Sequence, residues 1–324
     1  MAKYLVTGAA GFIGARVVRA LLDQGDEVVG VDNLNTAYDV RMKEHRLRLL
    51  EGQAGFRFER RDICDQGSVK DLARQSHFDG IMNLAARAGV RASLDDPWTY
   101  VDTNVTGTLN LLEACKQNAI PKFLLASTSS LYGAHPPLPT PEEADSSQPL
   151  QAYAASKKAA EVLCHAYHHL CGIDVTVLRY FTVYGPAGRP DMVMFRFIQW
   201  ISEGRLVRLN GDGEQYRGFT YVEDIARGTV LGLRPLGYEI VNLGGHERVR
   251  INALIQMLED RVGKKARVTR QQAHPADMYA SWASVEKAKR LLGWSPATSF
   301  ADGVSQTVDW YQAERSWASQ IATD

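Results

Sequence analysis

Tyr153 and Lys157 stand four residues apart in YAASK. Residues at that spacing share one face of a helix, so a lysine ammonium there can lower the pKa of a neighbouring phenol, and a bound cofactor's nicotinium charge has the same sign. A free tyrosine titrates near ~10, and a proton acceptor poised near neutrality needs a shift of roughly 3 units, about 4 kcal/mol. The spacing is common by chance, so its meaning depends on what stands around it. Upstream, Ser127-Thr128-Ser129-Ser130 closes the apolar run KFLLA and offers four hydroxyls. At the other end of the chain, Gly8, Gly11 and Gly14 punctuate GAAGFIG, between an apolar run and a helical pattern. Such a turn lets backbone amides approach a pyrophosphate, whose charge the helix N-terminus favours. Asp32 follows at the end of the next apolar run. Its carboxylate suits the ribose hydroxyls of an adenosine and repels a 2′-phosphate, so the expected cofactor is NAD rather than NADP.

The elements that must position these groups are legible as alternating strands and helices. Lys3 to Thr7, Glu27 to Asp32, Phe56 to Arg60, Gly80 to Ala85, Lys122 to Ser127 and Asp174 to Tyr180 read as strands. Gly11 to Gln24, with Ile13, Val17, Val18, Leu21 and Leu22 on one face, reads as a helix, as do Pro97 to Asn118 and Tyr153 to Cys171. This alternation predicts an α/β fold, a doubly wound parallel sheet with helices on both faces. Thr7/Gly8, Asp32, Ala85, Thr128 and Tyr180 to Thr182 all fall at strand ends, where ligands of open α/β sheets bind. After about residue 182 glycine and proline interrupt the pattern more often, which predicts a smaller, less regular lobe over 182–324 beside a Rossmann-type domain over 1–181. Helices are expected near Met192 to Glu203, Val222 to Leu233, Ile251 to Val262, Val285 to Leu292 and Ala301 to Arg315, and a strand near Tyr238 to Leu243 is placed to rejoin the large sheet. The proline-rich segment His135 to Pro149 reads as a lid.

Composition narrows the function. The 324 residues carry 37 basic and 37 acidic side chains, a formal net charge of zero. That balance argues against a general nucleic-acid or membrane-surface binder. Cys64, Cys115, Cys164 and Cys171 form neither a CxxC pair nor a Cys/His ligand spacing, so no metal is expected and the thiols read as reduced. The start MAKYLVTGAAG has no apolar leader, and no run approaches 18 apolar residues, so a soluble cytoplasmic protein is expected.

Taken together, GAAGFIG, Asp32-Asn33, Asp62-Ile63, Asn83-Leu84-Ala85-Ala86, Ser127 to Gly133, Tyr153-x-x-x-Lys157 and RYFTVYGP over 179–186 resemble the extended short-chain dehydrogenase/reductase family across essentially the whole chain. Within it the chain is most similar to UDP-glucuronate 4-epimerases, through Asp32 to Asn35, Tyr38 to Arg41, Ala88 to Arg91 and Phe181 to Met192. Decarboxylases and 4,6-dehydratases of the family carry Glu where Ser130 stands, and UDP-glucose 4-epimerases usually carry Asn in place of Thr182. The chain departs from the family pattern at Gly218, where Asp is usual, at Ala276, where Gly is usual, and at His274, near a position where some epimerases have Arg.

The resemblance implies NAD held by Gly8, Gly11, Phe12, Ile13, Gly14, Asp32, Asn33, Asp62, Ile63, Leu84, Ala85, Ala86, Tyr153, Lys157 and Tyr180. It implies a UDP-sugar held by Arg91, Thr128, Ser129, Ser130, Tyr153, Thr182, Arg189, Arg217 and Asp277, with Tyr153, Lys157 and Thr128 catalytic. It also implies a homodimer through the helices near 104–118 and 153–171. The activity it implies is reversible C4 epimerisation of UDP-glucuronate through a 4-keto sugar. Epimerisation of a neutral UDP-hexose or UDP-N-acetylhexose, reduction of a free keto sugar, and a catalytically silent NAD-binding regulator are the alternatives. Intact Tyr153, Lys157 and Thr128 weigh against silence.

Overall fold

A computed structural model of the chain describes residues 1–245, 247–273 and 278–323. Its main sheet has seven parallel strands, β1 (Lys3–Thr7), β2 (Glu27–Asp32), β3 (Phe56–Arg60), β4 (Gly80–Asn83), β5 (Lys122–Thr128), β6 (Asp174–Tyr180) and, later in the chain, Tyr238–Leu243, in the spatial order 3-2-1-4-5-6 with Tyr238–Leu243 outermost beside β6. The chain runs outward from β1 to β3 and then crosses back to β4. The gap between the carboxyl ends of β1 and β4 is therefore the switch point at which such sheets bind ligands. Every residue of β5, KFLLAST, is buried, as expected for a central strand covered on both faces.

Two apolar layers flank the sheet. One gathers Leu72, Leu111, Leu112, Cys115, Ala160 and Cys164 beneath the helices Gln66–Arg74, Gly107–Gln117 and Ala152–Cys171. The other gathers Val17, Val18, Leu21, Ile225, Val230, Leu292 and Trp294 beneath the helices Phe12–Asp23, Val222–Leu231 and Glu286–Leu292. The second half of the chain thus returns a strand and two helices to the large sheet. A third core holds the remaining lobe around the helices Val193–Ser202, Ile251–Val262 and Phe300–Ala313. Two short strands in that lobe matter to the site: β7 (Thr182–Tyr184), immediately after β6, and β9 (Tyr216–Tyr221), to which β7 pairs in parallel; between them runs β8 (Leu206–Asn210). No helix among the described residues is long and apolar enough to cross a membrane.

Three local expectations change. The helix expected over 97–118 breaks into Pro97–Val101, a π-helical turn Asp102–Thr106 and Gly107–Gln117. The extra residue of a π turn rotates Asn104 inward, where its amide binds both backbone groups of Arg87 (2.9 and 3.0 Å) and the Ser156 hydroxyl (2.9 Å). The segment His135 to Pro149 is a strap and not a lid. Its Thr140 exchanges backbone hydrogen bonds with Trp282 and Ser284, its Glu142 carboxylate accepts from Asn242 N at 2.8 Å, and none of its residues lines the large cavity. The helices Arg41–Arg48 and Gln66–Arg74 were not anticipated; the second starts at Asp65, whose side chain accepts from Ser68 N.

Candidate active site

One elongated cavity runs from Asp32 across the carboxyl ends of β1 and β4 to Thr128, Tyr153 and Arg189. Of the residues anticipated for the cofactor, Gly8, Gly11, Phe12, Ile13, Gly14, Asp32, Asn33, Asp62, Ile63, Leu84, Ala85, Ala86, Tyr153, Lys157 and Tyr180 all line it. Of those anticipated for the sugar, Thr128, Ser129, Ser130, Thr182 and Arg189 line it as well. Arg91 is exposed and lies outside it, its guanidinium against the side-chain amide of Asn210. Arg217 is also outside, its guanidinium donating to the carbonyls of Tyr216, Met278 and Tyr279. Asp277, with His274 and Ala276, lies outside the described residues.

The glycine turn is tight for its own sake as well as for a ligand. A Cβ on Gly14 would stand 2.0 Å from the Gly8 carbonyl oxygen, so the helix can start this close to β1 only with glycine there. At the far end of the same region, Asn33 donates to Asp62 at 2.9 Å, tying the ends of β2 and β3. Asp32 is not a bare carboxylate. It accepts from Leu34 N at 2.8 Å and from Lys43 Nζ at 3.1 Å, and both members of that ion pair are buried. Lys43 was invisible as a partner in the sequence, because it stands eleven residues on in an unanticipated helix.

At the chemical end, Tyr153 is half-buried and packs edge-on against Tyr100, ring centroids 6.1 Å apart. Tyr100 in turn donates to the Gly89 carbonyl at 3.0 Å. Burial pushes the Tyr153 phenol up, opposed by a hydrogen bond with Thr128 and by the charge of Arg189. In the protein without its cofactor desolvation outweighs these charges; the nicotinium charge expected to help lower the phenol is supplied only by bound NAD. Lys157 is 2% exposed, and its ammonium has no hydrogen-bond partner among the described residues. Burial lowers it to about 8. Ser127, counted among the strand-end hydroxyls, is committed to Glu161 at 2.6 Å, and Glu161 is in turn gripped by Arg179 at 2.7 and 3.0 Å. Thr128 accepts from Ser130 N and donates to Ser130 Oγ, both at 3.2 Å, which aims the hydroxyl pair at the cavity.

Arg189 is anchored rather than loose. It donates to the Ala88 carbonyl at 3.2 Å and grips Asp191 through two bonds of 2.6 and 3.0 Å. The missing Asp at Gly218 also has a structural cause. A Cβ there would meet the Gly245 carbonyl oxygen at 2.6 Å and the Trp282 Cβ at 2.7 Å.

A buried unpaired ammonium is costly unless something else meets it. Here it faces a cavity whose other end holds a glycine cradle and a carboxylate, the complement of a dinucleotide's ribose, pyrophosphate and adenosine. Fold and site together define a dinucleotide-dependent α/β enzyme. Comparison with known proteins agrees. The chain matches the NAD dependent epimerase/dehydratase family over residues 4–244, and it belongs to that family. It is 52% identical to a UDP-glucuronate 4-epimerase of Thermodesulfobacterium geofontis over 96% of each chain. Its structure is similar to that of a Bacillus cereus UDP-glucuronic acid 4-epimerase in complex with UDP-glucuronic acid and NAD, with a TM-score of 0.91, 38% identity and coverage of 96% and 99%. It is also similar to a Thermotoga maritima UDP-glucose 4-epimerase with UDP-glucose, with a TM-score of 0.89, 30% identity and coverage of 97% and 99%.

Proposed function

We propose that this protein interconverts UDP-glucuronate and UDP-galacturonate by epimerisation at C4, with NAD retained in the cavity. The observation that carries the reading is the chemistry facing Tyr153. Thr128, Ser129, Ser130, Thr182 and Arg189 share its end of the cavity, so hydroxyls and a guanidinium, the latter also paired with Asp191, stand where a uronate carboxylate would lie. A relative named for this activity at 52% identity supports the same reading.

In this reading Tyr153 Oη takes and returns the proton of the sugar 4-hydroxyl, and Thr128 Oγ1 hydrogen-bonds the same oxygen. Lys157 Nζ binds the cofactor ribose, which satisfies the ammonium left unpaired in the chain alone. Bound NAD supplies a hydride acceptor that is also the donor, so C4 can pass through a ketone and back without an external oxidant. Arg189 and Thr182 hold the carboxylate, Arg189 through the Nη1 donors that its bonds to Asp191 and Ala88 leave over. Held near the plane of a neighbouring ketone, the C5–C6 bond overlaps poorly with the carbonyl π system, which slows loss of carbon dioxide. Ser130 adds no second acid or base there.

Proton NMR of UDP-glucuronate incubated with the NAD-loaded protein tests the reading. UDP-galacturonate of equal mass is the expected product, and Tyr153→Phe should slow its formation by ~10²-fold or more while NAD stays bound. A dominant UDP-pentose, or near-normal turnover in Tyr153→Phe, would overturn it. The same reading includes a homodimer. Val162 and Leu170 are 59% and 78% exposed on the helix Ala152–Cys171, and Trp98 on the neighbouring Pro97–Val101 is 78% exposed, an apolar face suited to a second copy of itself.

A further inference from the structure

Arg46 lines no part of the cavity, yet it ties together three segments that do. It lies on the helix Arg41–Arg48 and is 3% exposed. Its Nε and Nη2 donate to the Ala187 carbonyl at 3.0 and 2.7 Å. Its Nη1 donates to the Tyr38 hydroxyl at 2.8 Å and to the Ala10 carbonyl, inside the glycine turn, at 3.4 Å. The guanidinium also faces the rings of Tyr38 and Phe12, 5.5 and 5.9 Å from their centroids. No carboxylate lies within ion-pair distance of it among the described residues. A buried cation partnered by carbonyls and rings cannot release the segments that bind it without stranding its own donors.

What it holds is strained. Ala187 has φ of 56°, in the left-handed region that a Cβ disfavours, and is 1% exposed. Two residues on, Arg189 enters the cavity. The fork of Arg46 closed on the Ala187 carbonyl fixes that residue's peptide plane, two residues before Arg189, whose own guanidinium is also tied to Ala88 and Asp191.

We propose that Arg46 is the positioning residue for Arg189: it locks the strained Ala187 peptide and so aims the Arg189 guanidinium at the acidic group of the substrate, while its remaining donors fix the same loop to the cofactor turn. Selectivity for an acidic sugar is then set by a residue that touches neither ligand. This inference rests on the carboxylate role given to Arg189 above.

The test is the ratio of affinities for UDP-glucuronate and UDP-glucose, measured by calorimetry on the NAD-loaded protein. Arg46→Lys keeps the charge and loses the fork. It should lower the ratio ~10-fold, mostly through the acid, the size expected for one misdirected charge-assisted bond. Added to Arg189→Ala it should cause no further fall, because the two residues act in series. Ala187→Gly in the Arg46→Lys background should restore the ratio at least in part, since glycine holds the left-handed conformation unaided. Arg46→Gln, which removes the buried charge outright, is the second variant should Arg46→Lys fail to fold, and the same fall in ratio is expected. Equal losses on both sugars, or losses that multiply in the double variant, would show Arg46 to be merely structural. If Arg189→Ala itself leaves the ratio unchanged, the carboxylate role fails and this inference falls with it. If Arg189→Ala lowers the ratio and neither Arg46 variant does, this inference alone fails.

Discussion

At the scale of single residues the site is defined by charges held out of balance. Lys157 is buried without a partner, and its pKa is lowered to about 8 by desolvation. Its folded value lies below the unfolded one, so below pH 8 the protein bears the full cost of burying the ammonium, and that cost fades as pH rises toward 10.5. Lys157→Met should therefore stabilise the cofactor-free protein, by ~3 kcal/mol at pH 7, while turnover is lost. Thermal unfolding across pH 6 to 10 checks this: the gap between variant and wild type should be widest at the acid end. A variant less stable at pH 7 would refute the account. Asp32 carries the opposite lesson. Lys43 beside it at 3.1 Å neutralises much of the charge that would repel a 2′-phosphate. Lys43→Met should weaken NADP about 10-fold more than NAD, and titration of both cofactors would read it. Equal losses would mean that the ammonium does not shape the discrimination.

Between elements, polar side chains do the joining. Asn242, fully buried on the Tyr238–Leu243 strand, accepts from the Tyr132 hydroxyl at 2.7 Å and donates to the Thr140 carbonyl at 3.0 Å. Together with the bond from its backbone N to Glu142 it fastens the 135–149 strap to the sheet edge. Asn242→Ala leaves the buried Tyr132 phenol without its acceptor, while Ser284 N still meets the Thr140 carbonyl, and should cost ~2 kcal/mol. Amide exchange over 140–146 should quicken, with turnover per folded molecule changed less than ~3-fold. A fall in turnover that tracks the exchange would restore the lid reading. The π turn at Asp102–Thr106 is the other such join, since Asn104 braces the Arg87 backbone and the helix Ala152–Cys171 at Ser156 together.

For the whole molecule, the sheet and its layers are shared between both halves of the chain, because Tyr238–Leu243 and the helices Val222–Leu231 and Glu286–Leu292 close over β6 and its neighbours. The helix that carries Tyr153 and Lys157 has its inner face in this core and its outer face, Val162 and Leu170, in solvent. A dimer through that face would brace the catalytic helix from outside. Val162→Glu combined with Leu170→Glu should give a monomer by light scattering, at a protein concentration where the wild type is a dimer. A wild type that is monomeric, or a variant that stays dimeric, would place the interface elsewhere or remove it.

What the amino-acid order alone determined here is what depends on short range. The glycine turn follows from a strand, a turn and a helix in succession, and Tyr153 and Lys157 share a face because they are four apart. Strands β1, β2, β3 and β6 fall where their apolar runs do. Tertiary structure decided whatever depends on residues brought from afar or on burial. Lys43 reaches Asp32 only through the turn of an unanticipated helix, and Arg46 finds its acceptor 141 residues away. The strap became visible only once Asn242 stood beside it. Arg217 stands outside the cavity, its guanidinium donating to the carbonyls of Tyr216, Met278 and Tyr279. Burial around Tyr153 is the same kind of fact: spacing along a helix says which charge is near, but only packing says how much water has been removed, and in the cofactor-free chain desolvation is the larger effect.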